Sequence, residues 1–202
     1  MAAVGLAAAL SLAPSISANA ATFTYSSSLS GQNEVPPNAS TATGLVTGAL
    51  SGDPTNWQFS YDVSFDGLSA ELILAHIHLA APDPANPNLP ATQRTGPVVH
   101  DLNNAPVNQG VTSGMFSGVW TSVDVMQAGM VDPATVYQSF LAGQYYFNLH
   151  SDTPEFAAPG EIRGQIEFEQ AAAVPEPMTG AAMLAAGAIA VATTRQKQRS
   201  AP

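Results

Sequence analysis

The amino-acid sequence predicts an all-β protein, an antiparallel β-sandwich with one short helix. Apolar and polar residues alternate over nine positions from Trp57 to Phe65, which is the period of a strand with one buried face. Similar short runs, separated by Gly, Pro, Asn and Asp, cover Phe23–Leu29, Gly44–Leu50, Glu71–Leu79, Pro97–Leu102, Val111–Val123, Gln144–His150 and Glu161–Phe168. Evenly spaced short strands are typical of an antiparallel sandwich or barrel, and we expect a sandwich with an immunoglobulin-like or superoxide-dismutase-like Greek key.

The helix is predicted over Pro133–Ala142, where Asp132 and Pro133 supply an N-cap and a first-turn proline. Gly143 supplies the stop. Residues 81–95 contain four prolines among Asp and Asn, a composition that predicts a surface loop within one domain.

Composition excludes several functions. The chain has no Cys, so it can form neither a disulfide nor a thiolate metal site nor a Cys nucleophile. Its 15 acidic residues face only five Lys and Arg, and only Arg94 and Arg163 precede residue 195, so no basic patch is available for nucleic acid. No Gly-x-Ser-x-Gly motif or Ser/His/Asp order stands out. We expect a non-catalytic protein rather than an enzyme.

Residues 1–20 are predicted to be a signal peptide. The segment is rich in Ala, Leu and Val and ends in Ala18-Asn19-Ala20, the small-x-small pattern at which signal peptidase cleaves. It departs from the usual pattern because no Lys or Arg follows Met1. The alternative is a buried Ala-rich helix.

Residues 173–202 are predicted to be a membrane-sorting tail. Its motif is Val174, Pro175, Glu176 and Pro177. The uncharged residues 178–194 would form a helix about 26 Å long, close to the minimum for a bilayer span. Basic residues follow at 195, 197 and 199 and would stay cytoplasmic. This layout resembles the PEP-CTERM sorting signal, which implies an exosortase-type processing enzyme as partner and a transient membrane association; a plain tail anchor is the alternative.

The middle of the chain resembles the chordin-repeat (CHRD) domain. The resemblance rests on strings in order, among them Glu34-Val35-Pro36-Pro37, Ala75-His76-Ile77-His78, Gly96-Pro97-Val98-Val99, the run from Ala142 to His150 and the run from Gly160 to Ile166. It covers residues 24–169, within a domain that we place at 21–172. The resemblance implies an exported protein. Together with the sorting tail, it leads us to expect a protein of the cell envelope or extracellular matrix that binds polysaccharide or surface proteins.

One group of residues could carry chemistry. His76 and His78 are two apart on a strand, so both side chains lie on one face with their Cα atoms about 6.6 Å apart. If the last two strands form a hairpin, His150 and Glu161 flank its loop. The sequence therefore makes His76, His78, His150 and Glu161 candidate ligands of a divalent metal.

Two interpretations of these histidines remain open. In the first, they bond to backbone and carboxylate groups at a sheet edge, Glu161 pairs with Arg163 or Arg94, and the protein binds no cofactor. In the second, they hold a metal in a metal-binding or metalloenzyme-like sandwich. A His-x-His on a β-sandwich is similar to the pattern of copper/zinc superoxide dismutases.

Overall fold

The computed structural model describes residues 21–127 and 132–169. The predicted signal peptide with Ala18 and Ala20, and the sorting tail with residues 174–177, lie outside the described residues. The described residues form eight strands: β1 (Ala21–Ser30), β2 (Thr43–Asp53), β3 (Asn56–Asp66), β4 (Leu72–Leu79), β5 (Val98–Asp101), β6 (Gly114–Thr121), β7 (Tyr145–Ser151) and β8 (Ile162–Gln165). The helices are α1 (Ser122–Gln127) and α2 (Pro133–Leu141), with 3₁₀ turns at Gly31–Asn33 and Ala91–Gln93. Within these residues no helix has the length and apolar character needed to cross a membrane.

The strands form one sheet in the order β5-β4-β7-β8-β1-β2-β3-β6, and every pair is antiparallel. The sheet curls until its two edge strands, β5 and β6, approach each other. At this edge His100 of β5 stacks on Trp120 of β6 with ring centroids 4.9 Å apart. With β5 beside β6, the order β3-β6-β5-β4 is a Greek key. The predicted all-β sandwich-like architecture is confirmed.

The core lies between the two halves of the curled sheet. The predicted core residues Phe59, Tyr61, Val63, Phe147, Ile162 and Ile166 are all buried, which confirms the alternation from which they were inferred. Phe59 stacks on Phe140 of α2 with centroids 4.5 Å apart, so the helix closes one end of the core. Replacing such a buried ring with Ala removes about 3–5 kcal/mol of stability in typical proteins.

Helix α2 forms as predicted. The Asp132 side chain accepts hydrogen bonds from the backbone N–H groups of Ala134 and Thr135, which would otherwise lack partners in the first turn. Gly143 adopts φ 62° after the last turn, a conformation that glycine enters without strain.

The predicted strand Val111–Val123 is wrong at both ends. Only Gly114–Thr121 is extended, and Ser122–Gln127 forms α1 instead. The cause is a capping box: the Asp124 carboxylate accepts from Thr121 N, and Thr121 Oγ1 accepts from Asp124 N. This reciprocal pair starts a helix where the apolar pattern alone predicts strand.

The outer face of β4, β7 and β8 is covered by loops. Every residue of β7 is buried on both faces. Asn38 Nδ2 donates to Glu161 O at 3.0 Å, Asn148 Nδ2 donates to Pro159 O at 3.0 Å, and Arg163 Nη2 donates to Ala91 O at 3.1 Å. The loops therefore enclose the outward polar side chains of these strands.

Candidate metal centre

Three histidines meet on the covered outer face of the sheet. His76 and His78 lie on β4, where they pair with Asn148 and Tyr146 of β7, and His150 pairs with Leu74 one step further along. Because neighbouring strands bring residues in register together on one face, the rings converge. One ring nitrogen from each histidine lies within 4.8 Å of one from each of the others.

Most nitrogens of these rings have no hydrogen-bond partner. His78 Nδ1 lies 2.9 Å from Gly96 O, and since a carbonyl only accepts, Nδ1 carries the hydrogen and Nε2 keeps its lone pair. His76 Nε2 lies 3.4 Å from Asp101 Oδ1, which favours the hydrogen on Nε2. Among the described residues, His76 Nδ1 and His78 Nε2 are buried without any partner. Both nitrogens of His150 are also buried and make no hydrogen bond of ordinary geometry, although the backbone of Phe156 and Ala157 lies close to the ring.

Burial keeps the three rings neutral. It lowers the pKa of His150 to about 4, assisted by the repulsion that His76 and His78 exert when protonated and opposed by the backbone of Ala157 and Phe156. Burial also lowers the pKa of His76, although the nearby Asp101 carboxylate acts to raise it. Burial lowers the pKa of His78 as well, although its hydrogen bond to Gly96 O acts to raise it. Neutral imidazole is the form that binds a metal.

The spacing fits a metal after a small closure. Metal–nitrogen bonds of about 2.0–2.1 Å place ligand nitrogens about 3.3–3.6 Å apart, so rings now within 4.8 Å must move together by about 1 Å. The rings already pack edge to face, with His76 and His150 centroids 5.2 Å apart. Three imidazoles leave a fourth coordination position for water or another ligand.

The structure places Glu161 differently from the three histidines. Its fully buried carboxylate accepts hydrogen bonds from Ser40 Oγ, from Ser69 N and Oγ and from Ser151 Oγ. It therefore ties two loops to the end of β7 and lies outside the three-histidine cluster.

The two arginines proposed as partners of Glu161 are engaged elsewhere. Arg94 donates to the Gln144 side chain at 2.7 Å, and the Arg163 guanidinium stands over the Tyr146 ring with its Cζ atom 3.5 Å from the centroid. The hairpin that was expected to carry His150 and Glu161 does form, with Leu149 paired to Ile162.

Sequence reasoning missed three residues that orient the cluster. Gly96 O and the Asp101 carboxylate orient His78 and His76, and Tyr146 stacks on His78 with ring centroids 5.1 Å apart. Only the pairing of β5 with β4, which places Asp101 opposite His76, could have revealed the carboxylate. Sequence spacing carries no signal for that pairing.

The comparison with known families identifies one domain. The family model of the CHRD domain matches residues 25–166, more than half of the 202-residue chain. No curated protein and no solved structure matches the chain. CHRD domains occur in secreted and extracellular proteins. The chain belongs to the CHRD domain family.

Proposed function

We propose that this CHRD domain binds one transition-metal ion between His76, His78 and His150. The supporting observation is the set of four buried ring nitrogens without partners in one cluster. A buried polar atom left unpaired destabilises a fold by about 1–3 kcal/mol. A metal that takes one nitrogen from each ring would give three of the four a partner.

The donor set favours Cu²⁺ or Zn²⁺. All three ligands are imidazoles, which suit zinc, copper, iron and nickel, and Cu²⁺ binds a given nitrogen site most tightly among the divalent metals of this row. The contacts of His78 with Gly96 O and of His76 with Asp101 are of the kind that orient metal-binding histidines. The proposed role is metal binding.

Metal analysis of protein purified without a histidine tag tests the proposal. After exposure to Cu²⁺ or Zn²⁺ and washing, the protein should retain about one equivalent, because three imidazoles on one face of the sheet chelate the same ion. His150→Phe should lower the affinity at least about 100-fold, since it removes a ligand rather than an orienting contact.

The chain contains a matched control. His100 is the fourth histidine, and its Nε2 is also buried without a partner, yet it stacks on Trp120 outside the cluster. His100→Phe should keep the full equivalent of metal. Retention below about a tenth of an equivalent in the unaltered protein would refute metal binding.

We further propose that the protein is exported, sorted through residues 173–202 by an exosortase-type enzyme, and placed in the cell envelope or extracellular matrix, where it meets polysaccharide or surface proteins. The support is the signal-like segment 1–20 and the order of motif, uncharged stretch and basic residues in the tail. Intact-mass measurement of the protein from its native host tests this, because processing should remove Arg195–Pro202 and most of the uncharged stretch 178–194, whereas a mature species that still carries residues 178–202 would reduce the tail to an ordinary anchor.

A further inference from the structure

A cleft lies beside the three-histidine cluster and is lined by none of its histidines. Its volume is about 740 Å³, within the range of small-molecule sites. Two of its lining residues, Glu34 and Arg163, are buried, while Gln32, Thr92, Gln93 and Glu167 are exposed. The cleft therefore has a charged interior and walls that are mostly neutral, with Glu167 as the one exposed charged residue among those that line it. Tyr146 lies between the histidines and the cleft lining, because it packs against His78 and against Arg163.

Arg163 is a buried cation without a counter-ion among the described residues. It is 1% exposed. Its Nη2 donates to Ala91 O at 3.1 Å and to Gln165 Oε1 at 3.2 Å, whereas Nη1 is buried without a partner. Arginine stays charged at physiological pH, and a buried charge without an opposite charge is strongly unfavourable. A carboxylate matches the unused side of the guanidinium.

The Glu34 carboxyl group does not fully neutralise the charge of Arg163. Its side chain is 7% exposed, and Oε1 has no partner in the described part of the chain. Burial raises the pKa of Glu34 to about 7, against the attraction of Arg163. At mildly acidic pH the carboxyl group is therefore mostly neutral, and its O–H can donate a hydrogen bond.

We propose that this cleft binds the carboxylate of an acidic sugar. Arg163 takes the carboxylate through Nη1, and Glu34 in its neutral form donates to the same group. The exposed amides and hydroxyl of Gln32, Gln93 and Thr92 contact the sugar hydroxyls. This site is separate from the metal site and does not depend on it.

Calorimetric titration of the full-length protein tests the proposal, with sodium glucuronate, glucose and sodium acetate as probes at pH 6 and constant ionic strength. A chelator is present, so that a metal at the histidines cannot bind the probe. Glucuronate should bind at least about ten-fold more tightly than glucose, which lacks the charge, and than acetate, which lacks the hydroxyls.

Two substitutions locate the binding. Gln93→Glu places a negative charge on an exposed wall of the cleft and leaves the buried pair intact, so it should weaken glucuronate binding at least about ten-fold. Gln58→Glu makes the same change at an exposed position of β3 that does not line the cleft and should leave binding unchanged. Arg163→Lys keeps the charge but loses the planar pair of N–H donors. Provided that circular dichroism shows this variant to be folded, it should also bind glucuronate about ten-fold more weakly.

Four results would overturn the proposal. The first is no glucuronate binding at about 50 mM, well above the range of a specific site. The second is equal affinity for glucose, which would exclude recognition by Arg163. The third is equal affinity for acetate, which would exclude the sugar hydroxyls. The fourth is unchanged binding in Gln93→Glu, which would place the ligand elsewhere.

Discussion

The carboxyl group of Glu34 should make the stability of the domain depend on pH in a way that Glu34→Gln removes. Burial raises the pKa of Glu34 from 4.5 to about 7, so between these values the folded chain holds a proton that the unfolded chain has lost. Stability therefore falls as the pH rises through this window. At about 1.4 kcal/mol per pKa unit, the loss is roughly 3 kcal/mol. Glutamine has a similar shape and no proton to lose.

The assay is urea unfolding followed by tryptophan fluorescence, because Trp57 and Trp120 are both buried. Between pH 4.5 and pH 8, the stability of Glu34→Gln relative to the unaltered protein should rise by roughly 3 kcal/mol. Glu155→Gln removes the same group at an exposed position and serves as the control. A difference that stays within about 0.5 kcal/mol across this range would show that the Glu34 carboxyl is solvated or paired with Arg163.

Three further predictions follow from the same structure. Glu161→Gln should lower the free energy of unfolding by about 2–4 kcal/mol, because hydroxyl donors lose a charged acceptor; an effect no larger than that of Glu155→Gln in urea unfolding would contradict the hydrogen-bond network. Residues 21–172 alone should unfold in one cooperative transition, with a far-UV circular dichroism spectrum dominated by strand; a mainly helical spectrum would refute the fold. Replacing residues 175–177 with Ala should retain a longer, membrane-bound form by intact mass, whereas unchanged processing would show that the motif is not recognised.

The fold was predictable where side-chain periodicity and burial agree. Residues 57–65 of β3 alternate cleanly, and the structure buries Phe59, Tyr61 and Val63 on one face. The predicted strand continued past Thr121, where the structure begins helix α1 instead. The reciprocal hydrogen bonds between Thr121 and Asp124 outweigh the apolar alternation there. A capping box is visible in sequence, so this element could have been found.

The candidate site was only partly predictable. The spacing of His76 and His78 sets their shared face, because strand residues two apart point the same way. The partners of Glu161 were not accessible, because Ser40 and Ser69 arrive from loops far along the chain. The burial of Arg163 also depends on a loop, through its bond to Ala91 O. Sequence reasoning reaches a strand face more readily than the loops that cover it.

X-ray absorption of the Zn²⁺-loaded protein tests the metal centre most directly. We predict three imidazole nitrogens at about 2.0–2.1 Å from the metal, with the same spectrum in His100→Phe and one imidazole fewer in His150→Phe. Coordination mainly by oxygen, or a spectrum that His150→Phe leaves unchanged, would show that zinc sits on surface carboxylates and not between His76, His78 and His150.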